Sequence, residues 1–130
     1  MSSLRTFSAL LLLSLAFAAP AMAQPIQPFS SAALKAAQAK GQAVLVDAYA
    51  SWCPPCRKQE PVLHALTTDP AFEKLLILRL DYDTQNAEKR ELGIVQQSTL
   101  IAFDGNKETG RLVGVTDAEQ IKALAKTALH

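Results

Sequence analysis

The sequence predicts an α/β domain with a central mixed β-sheet flanked by helices on both faces. Segments with helical apolar spacing alternate with short continuous apolar runs, which are typical of strands covered on both sides. Near the carboxyl end, a turn-rich segment between two apolar runs indicates a β-hairpin. A chain of 130 residues, 49% of them hydrophobic, fits one globular domain and leaves no room for a second.

The start of the chain has the pattern of a removable export signal. Arg5 provides a positive charge, residues 7–19 form an apolar run, and a small-x-small tripeptide ends at Ala23. The run is short for a membrane span of about 20 residues, and Pro20 follows it directly. We therefore predict a signal peptide over residues 1–23 with cleavage after Ala23, and a domain over residues 24–130. This domain should be periplasmic or secreted, with no membrane span after cleavage.

The first elements of the mature chain are predicted to be a helix and a buried strand. Ser30 or Ser31 can cap an alanine-rich helix, and Gly41 can end it. The segment Ala43–Ala50 is a short apolar run broken by one acid, which favours a strand with both faces covered.

A second helix should begin near Cys53 and contain Pro61, which lacks the N–H of the helical ladder and should bend the helix. Residues 69–70 open a short turn or helix, and residues 75–83 form a second buried strand. Residues 84–92 are polar and helix-forming.

The carboxyl-terminal part is predicted to be a hairpin followed by a helix. The apolar runs 98–103 and 110–115 flank a turn over residues 104–110. A capping box over 116–119 precedes a helix over residues 118–129, whose apolar face carries Ile121, Leu124 and Ala125.

Cys53 and Cys56, the only cysteines, should lie side by side on the first helical turn. A disulfide between them would close so short a ring that it would stabilise the fold little, so redox chemistry explains the pair better. The helix N-terminus lowers the pKa of a thiol, which makes Cys53 the nucleophile and Cys56 the resolving cysteine. Metal binding by two thiolates and an inert bridge are the alternatives.

Charge and ligand composition exclude several function classes. Loss of Arg5 with the signal leaves 12 basic and 12 acidic residues, so nothing favours nucleic acid as a partner. With no third cysteine and no nearby histidine, a closed zinc site within one chain is unsupported. We predict no metal ligands and no cofactor.

The segment VDAYASWCPPCRKQEP resembles the active site of the thioredoxin superfamily, with Trp52 before the first cysteine and Pro61 five residues after the second. This resemblance spans nearly the whole mature chain and implies a thioredoxin fold and a thiol-disulfide oxidoreductase. The motif followed by Arg57 also resembles exported thioredoxin-like reductants, although the extra strand-helix insertion usual in those proteins is missing. The expected partners are exported proteins bearing disulfides or thiols, together with a membrane electron donor. A reductant or isomerase-like role is expected over that of a primary oxidant.

The resemblance also assigns a role to Asp47, which lies six residues before Cys53. The matching acid in the family is buried behind the disulfide and helps to deprotonate the resolving thiol. An aspartate in so apolar a strand should have a raised pKa and can accept a proton near neutral pH. Arg79 lies where thioredoxins often carry a lysine near that acid, and an arginine there would favour the ionised carboxylate.

The main departure from the family concerns the loop before the hairpin. The family places a cis-proline there, facing the disulfide, and Ser98 occupies the matching position. A cis bond before a non-proline residue costs about 2.5 to 4 kcal/mol, so the peptide bond that joins Gln97 to Ser98 should be trans. We expect a reshaped partner-binding loop, a hydroxyl near the sulfurs, and open space over the cysteines. The resemblance implies that partners contact Trp52, Pro54, Pro55, Gln97, Ser98 and Thr99.

Two rival functions remain open at this point. One is a metal-binding module that uses the same thiolates for Cu(I) or an iron-sulfur cluster. The other is a non-catalytic binding domain whose disulfide is only structural.

Overall fold

The computed structural model describes residues 24–130, so the predicted signal peptide lies outside the described residues. Within this range no helix combines the length and apolar character needed to cross a membrane. In chain order the elements are β1 (Gln27–Pro28), α1 (Ser31–Ala39), β2 (Ala43–Tyr49), α2 (Pro54–Thr68), a 3-10 turn (Pro70–Phe72), β3 (Leu75–Asp81), α3 (Asn86–Glu91), β4 (Thr99–Asp104), β5 (Lys107–Val113) and α4 (Ala118–Thr127).

The five strands form one mixed sheet in the order β1-β3-β2-β4-β5, which confirms the predicted architecture. β1 and β2 both pair with β3 in parallel, whereas β4 runs antiparallel to β2 and to β5. β2 is therefore bonded on both sides, and the cysteine motif follows directly from its end. The two-residue β1 was not predicted, because its residues are exposed and form no apolar run.

Hydrophobic cores cover both faces of the sheet because successive strand side chains point to opposite sides. Leu45 of β2 belongs to the core that α2 and α4 cover, together with Leu63 and Ile121. Its neighbour Val44 belongs to the opposite core, which contains Leu34 of α1. The prediction of helices on both faces is therefore confirmed.

Helix α1 begins as predicted, but α4 begins differently. The Ser30 hydroxyl caps α1 by accepting a hydrogen bond from the backbone N–H of Ala33 at 3.0 Å. The predicted capping box at the start of α4 is wrong, because the N-cap is Asp117, which accepts from the backbone N–H of Gln120 at 2.9 Å. The carboxylate of Asp117 therefore takes the role expected of Thr116.

The predicted hairpin turn is too long. Only Gly105 and Asn106 lie outside the strands, and β5 already begins at Lys107. Gly105 has a φ of 56°, which suits the first position of a two-residue hairpin turn. The polar residues of β5 resemble a loop in sequence because this strand lies at the sheet edge and is largely exposed. The third helix and the fourth helix are also shorter than predicted.

Candidate active site

Cys53 and Cys56 are joined by a disulfide at the start of α2. Their Cα atoms are 5.3 Å apart, as the predicted placement on one helical turn requires. Both residues are buried, with exposed fractions of 0% and 1%, so burial does not distinguish nucleophile from resolving cysteine. An attacking thiolate must therefore enter past the neighbouring side chains.

Hydrogen-bond geometry does distinguish the two sulfurs. Cys53 is the N-cap of α2, and its Sγ accepts the backbone N–H of Cys56 at 3.1 Å. Pro54 and Pro55 occupy the first two helical positions and have no N–H, so Cys56 has the first free N–H of the helix. This contact stabilises a thiolate on Cys53.

Cys56 lies in a different environment. Its Sγ is 3.8 Å from the backbone oxygen of Ala48, a carbonyl of the central strand β2. The sulfur has no proton while the disulfide is intact, but after reduction the carbonyl can accept a hydrogen bond from the Cys56 thiol. A carbonyl acceptor favours the protonated thiol over the thiolate. After reduction, these contacts favour a thiolate on Cys53 and a protonated thiol on Cys56.

Asp47 lies on β2 with an exposed fraction of 1%. Its Oδ2 accepts from Nε of Arg79 at 2.8 Å, whereas its Oδ1 has no hydrogen-bond partner among residues 24–130. Burial raises the pKa of Asp47, and the attraction of the Arg79 guanidinium only partly offsets this effect. The carboxyl therefore holds a proton more readily than an exposed aspartate does.

Arg79 connects Asp47 to a second carboxylate. Its Nη1 donates to Oε1 of Glu60 on α2 at 2.9 Å, and its guanidinium lies 4.1 Å from the ring centre of Tyr49. The hydrogen bond from Arg79 lowers the pKa of Glu60, so Glu60 stays ionised and shares the positive charge. Glu60 also lies 3.5 Å from Nε2 of the exposed His64. The arginine is thus held between a buried acid and an accessible one.

These charged residues open onto a cleft of about 730 Å³ between α2 and the β1 end of the sheet. The cleft contains Arg79, Glu60 and His64 but neither cysteine. It therefore gives solvent a route towards the partners of Asp47, and it is separate from the disulfide itself.

The loop before β4 contains the predicted partner-binding residues. Among residues 24–130 every peptide bond is trans, including the bond between Gln97 and Ser98. Ser98 has a φ of 59°, the left-handed region that non-glycine residues rarely adopt. Its hydroxyl donates to the carbonyl oxygen of Gln97, and in residues 24–130 it forms no hydrogen bond to a cysteine sulfur. The expected role of this hydroxyl concerns a thiolate, which the disulfide form does not contain, so that role stays a prediction.

Ser98 is held by the main chain on both sides. Its N–H donates to the carbonyl of Ala48 at 2.9 Å, and its own carbonyl accepts from the N–H of Gly114 at 3.1 Å. Thr99 follows as the first residue of β4 and is also buried. The loop is thus anchored to the same carbonyl that faces Cys56.

Sequence reasoning missed Gln59, which is fully buried on α2. Its Nε2 donates to the carbonyl oxygens of Ser98 at 3.2 Å and of Val115 at 2.8 Å. The available signal was its position three residues after Cys56, which places a polar side chain on the buried face of the helix.

Trp52 lies at the edge of the site with 53% of its surface exposed. Its Nε1 donates to both carboxylate oxygens of Asp83, at 3.1 and 3.0 Å. Its ring packs edge-on against Tyr82, with centroids 6.5 Å apart, and the Tyr82 hydroxyl donates to the carbonyl of Val95 at 3.2 Å. These contacts fix an apolar ring beside the disulfide.

In the described part of the chain, no three His, Cys, Asp or Glu residues are grouped so that they could hold a metal ion.

Comparison with known proteins identifies the family. The sequence profile described as Thioredoxin matches residues 26–127. The chain belongs to the thioredoxin family. Thioredoxin from Chlamydia muridarum is 38% identical over 81 residues, which cover 62% of this chain and 78% of that protein. Thioredoxin from Alicyclobacillus acidocaldarius is 36% identical over 80 residues, covering 62% and 75%.

Solved structures of this family have the same fold. The crystal structure of Trxlp from Edwardsiella tarda is 39% identical, with a TM-score of 0.75, and the match covers 78% of this chain and 98% of that one. A thioredoxin structure from Malassezia sympodialis is 27% identical with a TM-score of 0.71, covering 80% and 93%. Together with the Cys53 and Cys56 pair, these matches make the chain a thioredoxin-like thiol-disulfide oxidoreductase.

Proposed function

We propose that this thioredoxin-family protein is exported and exchanges disulfides with partner proteins, as a reductant or isomerase more than as a primary oxidant. The observation that carries the proposal is the asymmetric pair at the start of α2. The Cys53 sulfur receives the first free N–H of the helix, whereas the Cys56 sulfur faces a carbonyl.

The exchange proceeds in two displacements. The Cys53 thiolate attacks a partner disulfide, which forms a mixed disulfide and releases one partner sulfur as a thiolate. Asp47 accepts the proton that the Cys56 thiol loses, and the resulting Cys56 thiolate attacks the Cys53 sulfur of the mixed disulfide. The second partner sulfur then leaves. The partner gains two electrons and the chain becomes the disulfide form, so a two-electron donor must reduce it again, and for an exported protein we propose a membrane donor.

The start of α2 supports the reducing direction. A strongly oxidising site depends on a highly stabilised thiolate, because this stabilises the reduced protein. Pro54 and Pro55 remove two N–H groups that would otherwise stabilise the thiolate on Cys53. The thiolate on Cys53 therefore has less support than a helix start without prolines would provide.

Exposed apolar side chains around the disulfide support a protein partner. Trp52, Val95 and Val113 have exposed fractions of 53%, 89% and 46%. Trp52 precedes Cys53, Val95 lies in the loop before β4, three residues before Ser98, and Val113 pairs with Thr99. Apolar side chains that frame a reactive site in this way are typical of protein-binding surfaces.

The activity is tested by insulin reduction with Cys53→Ser and Cys56→Ser as controls. We expect both variants to be inactive, and Cys56→Ser to retain a mixed disulfide that mass spectrometry detects. A wild type as inactive as the variants, with a stoichiometric metal in the reduced protein, would support the metal-binding alternative instead.

Direction and location need separate measurements. A reduction potential of the Cys53 and Cys56 pair of about −270 mV would support a reductant, whereas one of about −120 mV would support an oxidant. Cell fractionation and amino-terminal sequencing test export, and we expect a mature chain that begins at Gln24. A chain that retains residues 1–23 in the cytoplasm would refute the export proposal.

A further inference from the structure

Gln59 is a polar side chain in an unusual place. It has an exposed fraction of 0% and lies on the same helix as Cys56, among apolar residues such as Leu63. Burying an amide is unfavourable unless its hydrogen bonds are made within the protein. Both Gln59 bonds use its Nε2 group, and within the described part of the chain its Oε1 has no hydrogen-bond partner. The donor group of Gln59 therefore explains its position better than its acceptor does.

The two acceptors belong to different loops. The Ser98 carbonyl lies before β4, 39 residues along the chain from Gln59, and the Val115 carbonyl lies after β5, 56 residues away. The N–H of Gly114, next to Val115, donates to the same Ser98 carbonyl at 3.1 Å. One side chain on α2 thus connects both loops, and the loops are also connected to each other.

This connection acts on a residue in an unfavourable conformation. Ser98 has a φ of 59°, and a non-glycine residue keeps such a conformation only when its surroundings hold it. Three hydrogen bonds hold the Ser98 main chain: from its N–H to Ala48, and to its carbonyl from Gly114 and Gln59. Among these, only the bond from Gln59 comes from a side chain, so a single substitution can remove it.

We propose that Gln59 is a positioning residue that holds the Ser98 main chain in place for a partner polypeptide. In this chain the loop combines a trans peptide bond, a left-handed serine and a hydrogen bond from a buried amide. The inference rests on the proposed exchange with protein partners. A small disulfide reaches the sulfur without using the loop, so Gln59 should matter for polypeptides and not for small molecules.

The variant Gln59→Met keeps the length and flexibility of the side chain and removes its N–H donors. The matched control is Gln120→Met, the same change at an exposed position of α4. For insulin we expect Gln59→Met to raise KM about tenfold, equivalent to about 1.4 kcal/mol, with kcat little changed. Reduction of 5,5′-dithiobis(2-nitrobenzoate) and the reduction potential should match those of wild type, as should all properties of Gln120→Met.

A structural role alone gives a different pattern. If Gln59→Met lowers the melting temperature while insulin and the small disulfide change equally, or neither changes, the proposal is wrong. A measurement on the wild-type protein covers the case in which the variant does not fold. The side-chain amide protons of Gln59 should exchange with solvent far more slowly than those of Gln120, and equal exchange rates would overturn the proposal.

The failure of the proposed function has its own signature. If wild type reduces the small disulfide but not insulin, exchange with partner proteins is refuted. The connection through Gln59 is then decided by hydrogen exchange at the Gly114 amide. Faster exchange of that amide in Gln59→Met supports the positioning of the loop, and unchanged exchange refutes it.

Discussion

Replacing Asp47 with asparagine tests the central electrostatic feature of the site. The change keeps the shape of the side chain and removes an ionisable group that is 1% exposed. Among the residues that the structure describes, Oδ2 of Asp47 has one hydrogen-bond partner, Nε of Arg79 at 2.8 Å, and Oδ1 has none. Since burial raises the pKa of Asp47 above its ordinary value of 3.8, folding opposes ionisation of this carboxyl.

The sign and size of the effect follow from proton linkage. A raised pKa makes the folded state bind the proton more tightly, so its stabilising effect is complete below the unfolded pKa of about 3.9 and is lost as the pH rises through the folded pKa. Between these two values the contribution of Asp47 falls by about 1.4 kcal/mol per pH unit. Relative to wild type, Asp47→Asn should therefore gain stability from about pH 4 upward and then reach a plateau.

Urea unfolding of the oxidised proteins between pH 3 and pH 8 measures this difference. Glu108→Gln is the control. A hydrogen bond from Arg111 lowers the pKa of Glu108, so ionisation of Glu108 stabilises the folded state, opposite to the effect at Asp47. The Glu108 carboxylate is partly exposed, so its ion pair contributes little. The free energy of unfolding of wild type should exceed that of Glu108→Gln by less than about 1 kcal/mol above pH 5, and the two should be equal at low pH. If the stability of Asp47→Asn relative to wild type stays constant or falls as the pH rises from 4 to 8, the reasoning is wrong.

Three further predictions use other parts of the molecule. Arg79→Met removes the positive charge that lowers the pKa of Asp47, so this pKa should rise further. The pH profile of insulin reduction should then shift to higher pH, and by more than in Glu108→Gln. Ser98→Pro should lower the stability of the oxidised protein in urea unfolding, because proline cannot adopt the φ of 59° and lacks the N–H that donates to Ala48; unchanged stability would show that this loop conformation is not required. Leu63→Ala should cost about 2 to 5 kcal/mol in urea unfolding, because Leu63 is fully buried between α2 and the sheet.

The fold could be predicted because its signals are local. The apolar runs of β2 and β3 identify buried strands, and Ser30 identifies the start of α1 without reference to other parts of the chain. The two cysteines could likewise be interpreted from one short segment, because the residues that identify the motif lie next to each other in the sequence. The limits of β5 could not be predicted, since an exposed edge strand contains the same polar residues as a turn.

The parts of the site that were missed depend on long-range contacts. The role of Gln59 depends on hydrogen bonds to carbonyl oxygens 39 and 56 residues away, and the sequence near position 59 does not indicate these partners. The same holds for Glu60, which meets Asp47 only through Arg79. The left-handed Ser98 also depends on distant partners, because Ala48 and Gly114 hold it from two other segments.

The position of β2 has a consequence for the durability of the reactive pair. β2 is hydrogen-bonded along both edges, to β3 and to β4, and six of its seven residues are buried. Strands of this kind open only in global unfolding, whereas edge strands and loops open in smaller fluctuations. The cysteines follow directly from this strand, so heating should leave the redox centre assembled until the whole domain melts. Loss of disulfide exchange and loss of the fold should then occur as a single transition.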